Sequence, residues 1–342
     1  MKQYFSLKYE QFGSPLQKVS IVKTQASVLS ENQLLVQMTI VPINPSDLIP
    51  ITGAYQHRTR LPSFIGYEGV GIVKAVGHEQ NSSFLGKRIL LVGFEGTWQE
   101  FVVVKRDNII IIPEFISDIT AAQSYINPMT AWIICQYVLD VTSSDFIAIN
   151  ASGSNLGKAL IQICRLLGIK VIAIVRNSRN SILLQELGAQ YVINTSKQNI
   201  YTEIMKITNS KGVNFAIDSI GGSDGMQLAK STKLNGTFIA VGLLSKEQVD
   251  WSYINQELSL KGIVFHLRHW VNTTSINKKT QEFAKLFSLI ENSQLKIGIS
   301  SKVYPMNRFN FAIKDALDEN VKEKVFLRMV TAKDQLGSVN DF

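Results

Sequence analysis

The sequence predicts an α/β protein in which a doubly wound parallel sheet is joined to a second, β-rich domain of barrel-like type. Three observations carry that expectation. From about residue 121 to about residue 268, short apolar runs alternate with helical segments, the pattern of a parallel sheet covered on both faces. The residues before 121 read instead as short strands between turns rich in Gly, Pro, Val and Ile. Phe146-Ile147-Ala148-Ile149-Asn150-Ala151-Ser152-Gly153-Ser154-Asn155-Leu156-Gly157 is an apolar strand that runs through a small-residue turn into a helix. That layout presents backbone N–H groups to a dinucleotide pyrophosphate.

Taken in order, residues 1–9 alternate polar and apolar side chains like a strand and lack the continuous apolar core of a signal peptide. Strands follow at 34–41, 69–76, 87–92 and 97–104, then a helix at 121–138. The alternating region supplies strands at 146–150, 171–175, 191–194, 214–219, 236–241 and 258–265, with helices at 158–167, 180–187, 200–208 and 225–231. A helix at 278–292, a strand at 301–304, a helix at 308–318 and a strand at 325–330 end the chain. This tail has too few elements to fold alone, so it is expected to complete the first domain. The expected division is therefore 1–121 with 269–342, and 122–268.

The turn at 150–157 departs from the G-x-G-x-x-G fingerprint, because Ser152 and Ser154 stand with Gly157 at the three glycine places. The cofactor-binding candidates here are Ser152, Gly153, Ser154, Asn155, Leu156 and Gly157. What strengthens them is the continuation, a helix ending at Gly168 and a second buried-type strand, together a unit of the expected length. That second strand ends Arg176-Asn177-Ser178-Arg179. An NAD site carries a carboxylate there for the ribose diol, whereas a 2′-phosphate requires a cation. The expected cofactor is NADPH, with Arg176 as the main phosphate contact and Ser178 and Arg179 beside it. An Arg that simply sits in solvent is the competing account.

Composition narrows the function classes. With 342 residues, 45% of them hydrophobic and 18% charged, the chain has material for two packed domains, which excludes a disordered protein. Cys135 and Cys164, the only cysteines, lie in apolar helical segments and read as core thiols of a reducing, cytoplasmic compartment. No segment is apolar for the length of a bilayer, so no membrane association is expected. The net charge of +8 suits an anionic partner, yet Lys and Arg are scattered among acids and form no block. Phosphate-bearing small molecules or an acidic carrier protein are the expected partners, and nucleic acid is not.

Together these motifs resemble the medium-chain dehydrogenase/reductase superfamily over essentially the whole chain. The likeness is greatest to its zinc-free branch, the quinone oxidoreductases and mitochondrial-type trans-2-enoyl thioester reductases. It is carried by Asn44-Pro45-Ser46-Asp47, Gly53-Ala54-Tyr55, Leu61-Pro62, Gly66-Tyr67-Glu68-Gly69-Val70-Gly71, Val76-Gly77 and Asn127-Pro128-Met129-Thr130-Ala131. The turn at 150–157, Leu187-Gly188-Ala189, Gly242-Leu243-Leu244, and Leu260-Lys261-Gly262 with Trp270 continue it. The resemblance implies a GroES-like catalytic domain beside a Rossmann NADPH-binding domain, and a homodimer joined through edge strands around residues 258–265. It also implies that Asn127, Thr130, Gly242 and Leu243 reach the cofactor and that Trp270 lines the acyl pocket. For Thr130 an ordinary helix start, and for Trp270 an ordinary core position, stand beside those roles. Zinc-dependent relatives place Cys before the Ser-Asp pair and His before the Glu; Asn44 and Tyr67 occupy those places, so no metal is expected.

With no Lewis acid, the expected substrate has an acceptor carbon already activated by conjugation to a carbonyl, as in enoyl thioesters, enones and quinones. Charge then collects on the carbonyl oxygen, which calls for a hydrogen-bond donor and a proton source. The likeness puts Tyr55 at the enoyl reductases' active-site tyrosine, and a phenol is a donor at neutral pH. A turn aromatic covering surface is the plainer reading of Tyr55. Asn44 is a candidate for the nicotinamide ribose or carboxamide, and Asp47 is expected to order its turn. His57, His266 and His269 have no accompanying ligand spacing and read as ordinary surface or core residues. The leading expectation is an NADPH-dependent enoyl thioester reductase. A quinone or enone reductase is the alternative, and an NADPH-binding regulatory protein without turnover is the third reading.

Overall fold

The computed structural model describes residues 3–25, 27–298, 300–318, 320–321 and 323–329. They form two units, the first made of the described residues within 1–126, 271–287 and 297–329 and the second of 127–270 with 288–296. The ends of the first and last expected strands, residues 1–2 and 330, lie outside the described residues.

In the first unit, β1 (Gln3–Tyr9) pairs antiparallel with β2 (Val19–Gln25) and with the short β4 (Ser63–Phe64). A larger sheet is centred on β3 (Gln33–Pro42), which pairs antiparallel with β5 (Val70–Val76) and β7 (Phe101–Lys105). Beyond β5 come β6 (Arg88–Leu91) and β8 (Ile109–Ile111). Along β3, Leu34, Val36 and Met38 alternate inward to complete burial, as period-two patterning requires of a strand with one core face.

The second unit holds a six-stranded, wholly parallel sheet of β9 (Phe146–Ile149), β10 (Lys170–Val175), β11 (Ala189–Asn194), β12 (Val213–Asp218), β13 (Thr232–Ala240) and β14 (Lys261–Val264). Their order is β11-β10-β9-β12-β13-β14, the doubly wound arrangement the alternation predicts. Ile147, Ala148, Ile149, Val171, Ile172 and Ala173 are fully buried, which is why these strands read as continuous apolar runs. The chain then re-enters the first unit, where β15 (Ser301–Pro305) and β16 (Lys324–Arg328) extend the large sheet, β16 pairing antiparallel with β3.

Two expectations need correction. Residues 97–100 are not part of the following strand: Trp98 is fully buried, its N–H donates to Ile65 O and its carbonyl accepts from Leu7, and Gln99 makes only an isolated β-bridge to Ser6, so the apolar signal there marks a buried connection. The expected helix at 121–138 is instead a helix Asp118–Ala122, two π turns (Tyr125–Met129 and Ile134–Val138) and a short helix Thr130–Ile133 between them. Pro128 lies inside the first π turn, where its missing N–H and its ring oppose regular α-helical bonding.

Candidate active site

The second unit carries the turn at 150–157, Arg176, Ser178, Arg179, Gly242 and Leu243 beyond the carboxyl ends of its strands. β9 turns through residues 150–154 into helix Asn155–Leu166, capped by Ser154, whose Oγ accepts the Gly157 N–H at 3.1 Å. Ser152 is fully buried; its Oγ donates to Ile149 O at 2.7 Å and accepts the Ile174 N–H at 3.2 Å, tying β9 to β10. Both serines therefore serve the backbone of the turn. Gly157 tolerates no such exchange, since a Cβ there would lie 2.6 Å from Ser152 Cα and 2.7 Å from its carbonyl oxygen. Gly153 is unconstrained, with nothing nearer than 3.6 Å to a built Cβ. The N–H groups of Asn155 and Leu156 belong to the first turn, which has no acceptors within its own helix and carries the positive end of the helix dipole. That cradle fits a pyrophosphate.

Sequence reasoning missed the clamp beside it. Asn150, fully buried, donates from Nδ2 to Asp218 and accepts the Ser219 N–H at 2.7 Å, and Asp218 also accepts the Ile220 and Gly221 N–H groups at 2.9 and 3.0 Å. These bonds join the ends of β9 and β12, where the strand order reverses and open α/β sheets take ligands. Gly242, after β13, packs on the same segment, its built Cβ 2.9 Å from Ser219 O, and Leu243 next to it is exposed. Arg176, Ser178 and Arg179 are exposed beyond β10, with Asn177 Oδ1 accepting the Arg179 N–H at 3.2 Å. Asn127 is half-buried in the first π turn, Thr130 is buried at the start of its helix, and Trp270 is half-buried in helix Leu267–Thr273.

In the first unit, Asn44 opens the short helix Pro45–Leu48. Asp47 Oδ2 accepts the Asn44 N–H at 2.7 Å and Oδ1 accepts the Tyr67 N–H at 3.1 Å, so Asp47 orders the turn as its position suggests. The Asn44 carboxamide is also engaged: Nδ2 donates to Glu68 Oε1 at 2.7 Å, and Oδ1 accepts from Lys324 Nζ. Glu68 Oε2 accepts the Ile126 N–H at 2.8 Å. Desolvation pushes the Asp47 carboxyl up to about 7; the Asn44 N–H opposes it, Glu68 adds to it, and Lys324 and the Tyr67 N–H oppose it. Burial likewise raises Glu68 and lowers Lys324, each countered by the other's charge. Ser46 Oγ, in the same turn, is buried without a hydrogen-bond partner among the described residues.

Tyr55 is half-exposed, with the Arg58 guanidinium 4.2 Å above its ring and the His57 ring 6.4 Å away. Arg58, Asp47, Tyr67, Glu95 and Tyr9 help line a cavity of about 230 Å³; neither Asn44 nor Tyr55 is among its lining residues. His266 and His269 pair with each other at 5.5 Å. Among the described residues no group of three or more His, Cys, Asp or Glu side chains is arranged to hold a metal, and no helix is long and apolar enough to cross a membrane.

Comparison with known proteins adds to this geometry. The alcohol dehydrogenase GroES-like domain matches residues 30–114, and the zinc-binding dehydrogenase family matches residues 156–292. A mitochondrial enoyl-[acyl-carrier-protein] reductase of Caenorhabditis elegans is 32% identical over 302 residues, covering 85% of each chain. The mitochondrial enoyl-[acyl-carrier-protein] reductase of Homo sapiens is 28% identical over 334 residues, or 95% of this chain and 88% of that one. The crystal structure of a candidate NADPH:quinone reductase from Bacillus thuringiensis superposes with a TM-score of 0.93 at 41% identity, over 96% of this chain and 100% of that one. Quinone oxidoreductase from Escherichia coli, complexed with NADPH, shares the fold at 22% identity and a TM-score of 0.84, over 95% and 99% of the two chains.

Proposed function

The chain belongs to the medium-chain dehydrogenase/reductase superfamily, in its quinone oxidoreductase and enoyl reductase branch, and on that premise we propose that it is an NADPH-dependent reductase of trans-2-enoyl thioesters. The observation that carries this reading is likeness to enoyl-[acyl-carrier-protein] reductases across both units, at 32% identity over 302 residues. The exposed Arg176, Ser178 and Arg179 beyond β10, with no carboxylate among residues 176–179, support the choice of NADPH. NADPH, when bound, supplies hydride to the β carbon of the conjugated double bond.

The chain's own residues do the rest. The N–H groups at Asn155 and Leu156 and the close contact at Gly157 seat the pyrophosphate, and Arg176 takes the 2′-phosphate. Gly242 and Leu243 border the cofactor beside Ser219, and Asn127 and Thr130 flank the nicotinamide. Tyr55 donates to the carbonyl oxygen as negative charge gathers there, and Trp270 lines the acyl pocket. Asn44 orders the entry to the turn 44–48, which the family likeness makes part of the reaction site.

A quinone reductase is the second reading, favoured by the 41% identity to the Bacillus thuringiensis protein. An acidic acyl carrier protein suits the net charge of +8. A homodimer through β14 is supported by the strand's place at the sheet edge and by Val264, which is exposed there. Cys135 and Cys164, both free and buried, support a reducing cytoplasmic setting.

The test is NADPH oxidation with crotonyl-CoA, a carrier-protein thioester, simple enones and a 1,4-quinone, each repeated with NADH. Fastest turnover on the thioesters with NADPH is expected. Fastest turnover on the quinone would establish the second reading, and no oxidation with any acceptor would overturn both.

A further inference from the structure

Asn44 is clasped from both ends of its carboxamide, and the two partners are of opposite kind. Glu68 Oε1 accepts from Nδ2 at 2.7 Å, while Lys324 Nζ donates to Oδ1 and to the Ile43 carbonyl at 2.8 Å. A carboxylate only accepts and an ammonium only donates, so the amide has one orientation and cannot flip. Lys324 comes from β16, 280 residues along the chain, and is 8% exposed. An ammonium in such a place is destabilising unless it is paired and hydrogen-bonded. Glu68 and Asp47 account for its charge. They do not account for its two bonds, both of which go to the chain just where it enters the turn 44–48.

The geometry points to Lys324 as a positioning residue of this reductase, one that fixes the Asn44 carboxamide and the entry to the turn, and so holds that turn in its working arrangement. The inference rests on the reading of residues 44–48 as part of the reaction site.

The test compares Lys324→Met, Asn44→Ala and the doubles Lys324→Met/Glu68→Gln and Lys324→Met/Asn44→Ala. Lys324→Met alone is expected to lower Tm, because it leaves two carboxylates buried without their cation. Lys324→Met/Glu68→Gln removes the cation together with one of the two carboxylates that face it and is expected to recover part of that Tm. Its kcat should nevertheless stay down by about tenfold to one hundredfold, because the amide orientation is no longer specified. Amide hydrogen exchange in residues 44–48 should be about tenfold faster in that double variant. In the Asn44→Ala background Lys324→Met should lower kcat by no more than about twofold further, since the residue acts through Asn44.

If Lys324→Met/Glu68→Gln regains Tm, kcat and exchange protection together, Lys324 is a counter-ion only and the inference is overturned. Full multiplication of the two kcat losses in Lys324→Met/Asn44→Ala would overturn it as well. The reference is wild-type turnover on whichever acceptor supports it, and exchange is read without substrate. Failure of the thioester assignment is thereby distinguished from failure of this inference.

Discussion

The turn at 150–157 and the cluster around Asn44 are both polar constructions set against apolar cores, yet they are held together by different physics. In the turn the two serines are neutral and bond close by in sequence as well as across to β10, and only Asn150 reaches a carboxylate, that of Asp218. Ser154 caps three residues ahead and Ser152 reaches Ile149 three residues back. In the cluster three buried ionisable groups, Asp47, Glu68 and Lys324, meet Asn44 and the Ile126 N–H, and the participants come from positions as far apart as 44, 68, 126 and 324. The turn is shaped by close contact and the cluster by balanced charge, so the two should fail differently when perturbed.

The largest effect should come from violating the contact. Gly157→Val places branched carbons where a Cβ alone already meets Ser152 Cα at 2.6 Å, while Gly153→Ala meets nothing nearer than 3.6 Å. Gly157→Val is expected to lose at least about 3 kcal/mol of stability or all measurable NADPH affinity, whereas Gly153→Ala stays within about 1 kcal/mol of wild type. Thermal unfolding and cofactor fluorescence titration check both, and equal behaviour of the two variants would break the contact argument.

How much of each region was legible follows from the same difference. The small-residue turn at 150–157, the doubly wound sheet and the strand exit at Arg176 are written in neighbouring residues, so periodicity and turn chemistry make their layout legible. Lys324 carries no local signal: in sequence it is a lysine at the start of a late strand, and only its pairing beside β3 puts it on Asn44. Asp218 was hidden likewise, meeting Asn150 across 68 residues. Trp98 and Pro128 misled the reading because an apolar run reports burial, whether the backbone beneath it is strand, loop or π turn.

Next in size is Tyr55→Phe, which removes the phenol beside Arg58 and is expected to lower kcat on crotonyl thioesters about one hundredfold, or about 2.7 kcal/mol, with NADPH affinity unchanged. Unchanged turnover would detach Tyr55 from the chemistry and leave the cluster as the first unit's contribution. Arg176→Ala should cost about tenfold in NADPH affinity and leave NADH affinity within about twofold, read by titration with each nucleotide. An equal loss for both nucleotides would mean that Arg176 supports the fold and not the 2′-phosphate.

The smallest effect tests the electrostatic half of the comparison. Desolvation pushes the Asp47 carboxyl up to about 7, above the ordinary carboxylate range. Between about pH 4 and about pH 7 the folded chain therefore keeps a proton that the unfolded chain releases, and this part of its stability is lost as pH rises through that window. Asp47→Asn cannot titrate. Relative to wild type it should gain about 1 kcal/mol between about pH 5 and about pH 7 in urea unfolding, and parallel pH profiles would contradict the assignment.

The most direct test of the whole account is to follow the hydride. With NADPH carrying deuterium at the transferable position and crotonyl-CoA as acceptor, the account predicts butyryl-CoA with deuterium on the β carbon and a solvent proton on the α carbon. Deuterium absent from the thioester while NADPH is consumed, or no consumption at all, would contradict it.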